Sequence, residues 1–311
     1  MRPSPTVFLA LFGIFCMCVF LEFGCNSPAW SDETDKEAPV GAVGGAIHAD
    51  PFTGIATTSI PLEVPPGRGG IQPKMSLVYS SDSGNGWVGY GWRLGKGVIE
   101  RQTKFGVNYS GDDYVFHLSG INVELVNVGS GEYRAKIENN FSRIKKLTAT
   151  DGNPYFEATD KTGTKFIFGS AANTRVSDPS NASNVFRWCL ERVEDTHGNY
   201  MTLSYTLDQG QGYLSQIDYT GNGALTPTNQ VKFHLENRSD ASPMYTANFL
   251  MTTGKRLKTI EIKANGTILS AYKIIYNATG NSTISQIQRF GKDAILDGTG
   301  TVTGGTAHPA F

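Results

Sequence analysis

Strand-length alternation of apolar and polar residues, broken every few positions by turn residues, limits what this chain can become. "KMSLVYS" places Met75, Leu77 and Tyr79 on one side and Lys74, Ser76 and Val78 on the other, the period of two of a half-buried strand. The same alternation returns in "DYVFHL", "KFIFG", "YMTLSY", "VKFHLE", "KTIEIKA" and "AYKIIYN". Between such runs, "ANGT" at 264–267 holds an Asn-Gly pair, the strongest short hairpin signal. Asp160-x-x-Gly163 and Asp195-x-x-Gly198 are turns in which an aspartate bonds its own backbone. Glycine is abundant at 36, aromatic residues reach 11%, and long runs of Ala, Glu, Lys and Leu are missing. The expectation is an all-β fold of short, mostly antiparallel strands and hairpins, sandwich- or barrel-like, with no substantial helix beyond an N-terminal apolar segment. No fixed repeat period marks a propeller or solenoid.

The stretch "SGNGWVGYGWRLGKG" carries Gly84-x-Gly86-x-x-Gly89 directly after a strand-like run, the spacing of a dinucleotide-cradling loop. Such a loop has to open a helix whose N-terminus receives the pyrophosphate. Here Gly89, Gly91, Gly95 and Gly97 fall inside the helix that would follow, and each interior glycine costs roughly 1 kcal/mol against alanine. The glycines are therefore expected to serve tight turns and close backbone approach. Two roles stay open for Trp87, Tyr90 and Trp92 between them: rings that fill the core behind the turns, or exposed rings that stack on sugars.

Arg2 and the apolar residues 7–21 have the charge and length of a secretory signal rather than of a comfortable membrane span. Residues 1–29 are expected to be a signal peptide with two possible exits. One is the lipobox-like "LEFGC", which would leave Cys25 lipidated; the other follows "SPA" at Ala29. Glu22 and Phe23 depart from the residues a lipobox prefers, and an uncleaved N-terminal anchor is the third option. Residues 30–50 read as a flexible tether, and 51–311 as the β-domain. Cys16, Cys18 and Cys25 leave or are modified with the signal, so Cys189 remains without a disulfide framework, and stability has to come from a large sheet core. Between Trp188 and Leu190 it reads as a small buried apolar residue. A formal net charge of -1 offers no basic field for nucleic acid.

The segments of 54–94 resemble, in order, the start of the N-terminal domain of the SpvB family, shared by virulence-plasmid SpvB proteins and the B components of insecticidal Tc toxin complexes. The pieces are "IPLEVPPG", "GIQPKMSLVYSS" and "SGNGWVGYGW". "DDYVFHLSG", "DKTGTKFIFG", "RWCLERVEDTHGNYMTLSY" and "RLKTIEIKANG" continue the likeness, which covers about 47 to the C-terminus. "DTHGNYMTLSYTLDQGQGYLSQIDY" also looks like a YD-repeat (RHS-type) element. The resemblance implies a non-catalytic structural or assembly module of a secreted toxin or RHS-type system, with other toxin-complex or RHS proteins as partners. No cofactor and no nucleic acid are expected, and a membrane only through a lipid on Cys25. Localisation would be extracellular or at the outer membrane, and 51–311 would be a C-terminally truncated SpvB-like domain. The alternative is a surface carbohydrate-binding or adhesion module that uses Trp87, Tyr90 and Trp92.

Catalytic signatures fail on spacing. SpvB-type virulence proteins carry a C-terminal ADP-ribosyltransferase domain with a Glu-x-Glu pair; here the nearest approach is Glu191 and Glu194, one residue too far apart. His48, His117, His197, His234 and His308 lack zinc-ligand spacing and read as surface or turn residues. There is no Gly-x-Ser-x-Gly elbow. Asp293 and Asp297 do not have the spacing of an EF-hand loop, and Asp112-Asp113 beside Gly111 reads as turn capping. Seven Asn-x-Ser/Thr sequons read as turn composition in a bacterial chain.

Overall fold

The computed structural model describes residues 47–311 apart from 96, 119 and 139–141. The expected signal peptide, Cys25 and most of the tether lie outside the described residues. The principal strands are β1 (Ala56–Pro61), β2 (Ser76–Ser80), β3 (Trp92–Leu94), β4 (Val98–Arg101), β5 (Tyr114–Leu118), β6 (Ile121–Gly129), β7 (Glu132–Ala135), β8 (Arg143–Thr148) and β9 (Pro154–Thr159). They continue with β10 (Lys165–Phe168), β11 (Asn181–Glu194), β12 (Asn199–Asp208), β13 (Gln211–Asn222), β14 (Asn229–Asn237), β15 (Lys255–Ala264), β16 (Thr267–Tyr276) and β17 (Ile284–Phe290). The pairings are antiparallel, and the helical content described is two three-residue 3-10 turns, Arg68–Gly70 and Ala172–Thr174. The all-β antiparallel expectation holds.

Strands β4 to β11 close into an eight-stranded barrel, because β11 pairs with β4 through Arg187–Cys189 and with β10 through Leu190–Glu194. Closure removes the free edges that a sheet of short strands would otherwise expose. Its interior is filled by rings: Tyr114, Tyr133, Phe156 and Trp188 meet edge-on with centroids 5.0 to 6.1 Å apart, the geometry the ring quadrupole favours. Trp188 Nε1 donates to Pro154 O at 2.6 Å. Buried Arg101 donates to the carbonyls of Val185, Asn108 and Gly111, with its guanidinium 5.4 Å from the Tyr114 ring. Cys189 is buried, as read from its neighbours.

At Arg192–Glu194, β11 also pairs with β12, and from there the sheet runs open through β12, β13, β14, β15, β16 and β17. Residues near the C-terminus continue it: Ile287 and Phe311 exchange backbone hydrogen bonds at 3.2 and 3.0 Å, and His308 N donates to Arg289 O. His48–Ala49, β1, β2 and β3 form a separate sheet whose Ile60, Leu62, Leu77 and Leu94 share one core with Val231, Phe233, Leu257, Ile260 and Ile262 of the open sheet. His48 and Ala49, read from sequence as tether, pair with Thr57 and Ala56, so β-structure starts slightly earlier than the composition suggests. A hairpin of Ile295–Leu296 and Val302–Gly304 brings Ala294 and Val302 onto Ala271 in a second, small core.

The turn readings hold locally. Asn265 and Gly266 have φ of 48° and 78° between β15 and β16, as a two-residue primed turn requires. Asp160 Oδ1 accepts from the amides of Thr162 and Thr164, and Asp195 Oδ1 from those of His197 and Asn199.

Candidate functional site

The glycine–aromatic loop between β2 and β3 is a plug seated on the open sheet. Leu257 N donates to Trp87 O and Tyr90 N to Ser282 O, both at 2.8 Å. Tyr276 Oη lies 2.8 Å from Val88 O and 2.7 Å from Leu257 O, and its single proton serves one of them at a time. Gly89 sits at φ 123°, where a Cβ would stand 2.5 Å from Ser282 O and 3.0 Å from the Tyr276 ring. Gly84, by contrast, faces open space, and a Cβ on Gly86 would meet Trp92 O at an ordinary 3.7 Å. Space therefore demands only the third glycine of the motif. The segment that follows is strand β3 rather than a helix. No helix N-terminus is available to a phosphate, in agreement with the expected turn role.

The three aromatic residues part company. Trp87 is half-buried and edge-on to Tyr213 and Phe233, at 6.4 and 6.3 Å. Trp92 is half-buried and tilted against Tyr79 at 5.5 Å. Tyr90 alone keeps a large open surface, 43% exposed. Trp87 and Trp92 pack against the core as partly buried rings.

A charged clamp holds the plug. Arg238, almost fully buried, donates from Nη1 to Gly86 O at 2.8 Å, from Nη2 to Asn85 Oδ1, and from Nε and Nη2 to the two oxygens of Asp240 at 2.8 Å each. Asp240 also accepts from Asn85 Nδ2 at 2.8 Å and from Ser282 Oγ at 2.7 Å. The Arg238 guanidinium, helped by Asn85 and Ser282 and opposed by partial burial, holds the Asp240 carboxyl well below the usual carboxylate range. The pair is inconspicuous in the sequence because "ENRSD" looks like an ordinary turn. The available signal was an Arg and an Asp of opposite charge two residues apart.

Two histidines correct the reading of all five as surface or turn residues, since each stands mid-strand beside a carboxylate. His117 Nε2 is 3.4 Å from Glu100 Oε1, and Arg187 Nε donates to Glu100 Oε2 at 2.8 Å. Burial raises the Glu100 pKa, but the His117 and Arg187 contacts outweigh it and bring it down to about 2. His234 Nε2 lies 2.9 Å from Glu261 Oε2 and Lys263 Nζ 2.7 Å from Oε1. His234 lowers the Glu261 pKa most, burial opposes it and Lys263 adds to the fall, to about 2.

The remaining carboxylates singled out from sequence have local or cross-strand partners. Glu191 accepts from Ser170 Oγ, Ala171 N and Thr174 Oγ1, while Glu194 holds Arg192. Asp112 accepts from Lys146 Nζ on β8 and from Tyr114 Oη two residues on, where sequence suggested turn capping. Asp297 accepts from Thr299 N and Thr301 N in a solvated turn like that of Asp160, and Asp293 accepts from Thr306. Among the described residues no three ligating side chains converge on a metal position.

Residues 50–230 match the family model described as SpvB, Salmonella virulence plasmid 65kDa B protein. The chain belongs to the SpvB family. Over 205 residues it is 26% identical to the mono(ADP-ribosyl)transferase SpvB of Salmonella typhimurium, covering 58% of this chain and 34% of that protein. The Salmonella choleraesuis relative is also 26% identical, over 225 residues, 65% of this chain and 37% of its own length. The chain thus spans about a third of the curated relatives it matches.

In fold it is similar to the N-terminal domain of the effector SpvB from Salmonella typhimurium strain LT2. The TM-score is 0.67 at 19% identity, over 75% of this chain and 98% of that one. TcdB2-TccC3 gives 0.71 at 21% identity, over 86% of this chain and 17% of that structure. The Photorhabdus luminescens Tc holotoxin pore gives 0.68 at 20%, over 86% and 16%. The SpvB-family match spans the plug and the whole barrel.

Proposed function

We propose that this chain is a non-catalytic structural module of an exported bacterial toxin or RHS-type polymorphic-toxin system, where it builds a shell or docking surface for other components. The observation that carries the reading is the coverage of the fold: it occupies nearly all of one effector's N-terminal domain and about a sixth of a multi-component toxin. A unit that recurs beside different companions is suited to scaffolding. The chemistry of the chain supports this. Its most displaced carboxyls, Asp240, Glu100 and Glu261, are each bound into ion pairs, across adjacent strands for Glu100 and Glu261 and within the β14–β15 connection for Asp240, which consumes the groups a general acid or base would need free. Export, with release or a lipid on Cys25 that holds the domain near the outer membrane, fits the same role.

The test is capture of partners from the native organism with a C-terminally tagged chain, read by mass spectrometry together with the intact mass of the bait. Toxin or RHS proteins recovered with it are the expected result, and a diacylglyceryl mass on Cys25 would place it on a membrane. A bait recovered alone and monomeric overturns the assembly reading. ADP-ribose transfer or hydrolysis by the purified chain incubated with labelled NAD overturns the non-catalytic one.

A further inference from the structure

Away from the plug, three elements meet around a cleft of about 530 Å³, within the range of small-ligand sites. The turn of Asp178, Pro179 and Ser180 opens β11; Gln209 tips the β12–β13 hairpin; and the long connection 238–254 between β14 and β15 contributes Asn248, Phe249, Leu250 and Thr252. The frame is fixed. Thr252 N donates to Gln209 O at 2.8 Å, Asn248 Nδ2 to Val107 O at 2.9 Å, Tyr109 Oη to Ala247 O, and Ser180 N to Asp178 Oδ1 at 2.8 Å. A connection of that length held so firmly, at the junction of barrel and open sheet, is where binding residues concentrate.

The lining chemistry selects the ligand. No lysine, arginine or histidine lines the cleft, so phosphates, carboxylates and acidic sugars have no counter-charge there. Asp178 Oδ2 and Asn248 Oδ1 take no hydrogen bond among the described residues, and the hydroxyls of Ser180 and Thr252 stand with them. This set is rich in acceptors and suits a ligand that donates several hydrogen bonds. Pro179, Phe249 and Leu250 add apolar wall, which suits a ligand with one apolar face. A neutral pyranose combines both properties. We propose that this cleft binds an uncharged hexose unit of a glycan, at a site separate from Trp87, Tyr90 and Trp92.

Saturation-transfer NMR of the purified chain with D-glucose, D-galactose and N-acetyl-D-glucosamine as probes tests this. Transfer to at least one hexose is expected. Asp178→Asn, which can keep the turn acceptor but loses the charge, weakens that binding roughly tenfold, as the change from a charged to a neutral acceptor implies. Ser180→Leu, at an exposed turn, fills the mouth and abolishes transfer with the melting temperature unchanged, while Tyr90→Ala leaves transfer intact. The proposal is overturned by silence from all three hexoses, by transfer that survives both cleft variants, or by loss with Tyr90→Ala instead.

Discussion

Gly89→Ala is the sharpest perturbation of the plug. Its φ of 123° lies where only glycine is comfortable, a cost of order 1–3 kcal/mol for another residue. The added methyl meets a backbone oxygen at 2.5 Å and a buried ring at 3.0 Å, and overpacking of this kind costs about 1–3 kcal/mol more. Together these give about 2–6 kcal/mol, a large part of the stability of an ordinary domain. Gly84→Ala and Gly86→Ala have neither a left-handed φ nor a close contact, so each should stay within about 1 kcal/mol of the parent, with a slight gain possible from a stiffer unfolded chain. Urea unfolding followed by tryptophan fluorescence compares the three midpoints directly. A phosphate-cradling motif would need all three glycines alike. Equal costs at 84, 86 and 89, or a loss below about 1 kcal/mol for Gly89→Ala, would refute the plug geometry.

Other outcomes follow from the same contacts. Arg238→Met leaves Asp240 without its cation and should cost about 3 kcal/mol, measured by the same urea titration. Trp87→Ala should lower the melting temperature, with a loss of about 2–4 kcal/mol, because its ring abuts Tyr213 and Phe233; an unchanged melting point would return it to the surface-binding role. Glu100 and Glu261 have folded pKa values of about 2, below their ordinary 4.5. Their contribution is therefore complete above pH 4.5 and is lost as pH falls towards about 2; Glu261→Gln should flatten that acid limb in a pH series of melting temperatures.

The architecture was legible where the signal is local. Alternation in 74–80, 199–208 and 255–264 gave strands, and Asn265-Gly266 and Asp195-x-x-Gly198 gave their turns, because backbone geometry at these points is set by neighbouring residues. The glycine loop was legible as a corner, but not as a plug. Its partners, Leu257, Tyr276 and Ser282, lie far along the chain, and nothing near Gly89 announces them. Barrel closure depends likewise on β11 meeting both β4 and β10. His117 and His234 escaped because their carboxylate partners stand on adjacent strands, 17 and 27 positions away (117 − 100 and 261 − 234).

That dependence on distant partners makes residues 47–94 a cover the open sheet cannot lose. Val231, Phe233, Ile260, Ile262 and Ile274 are at most 4% exposed and share a core with Ile60, Leu62, Leu77 and Leu94. Glu63 N donates to Tyr272 Oη at 3.2 Å, a bond that ties this cover to β16 across 209 positions. Full burial of each such side chain is worth about 1.5–3 kcal/mol, so uncovering five of them puts on the order of 10 kcal/mol at risk, comparable to total stability. Deletion of 47–94 should therefore give a chain that aggregates or binds a hydrophobic dye, while the barrel, whose aromatic interior needs none of those residues, keeps its proteolytic resistance. A soluble deletion variant that unfolds cooperatively with the parent's midpoint would mean that the two faces do not depend on each other, and that the plug is an ornament on the sheet rather than part of its core.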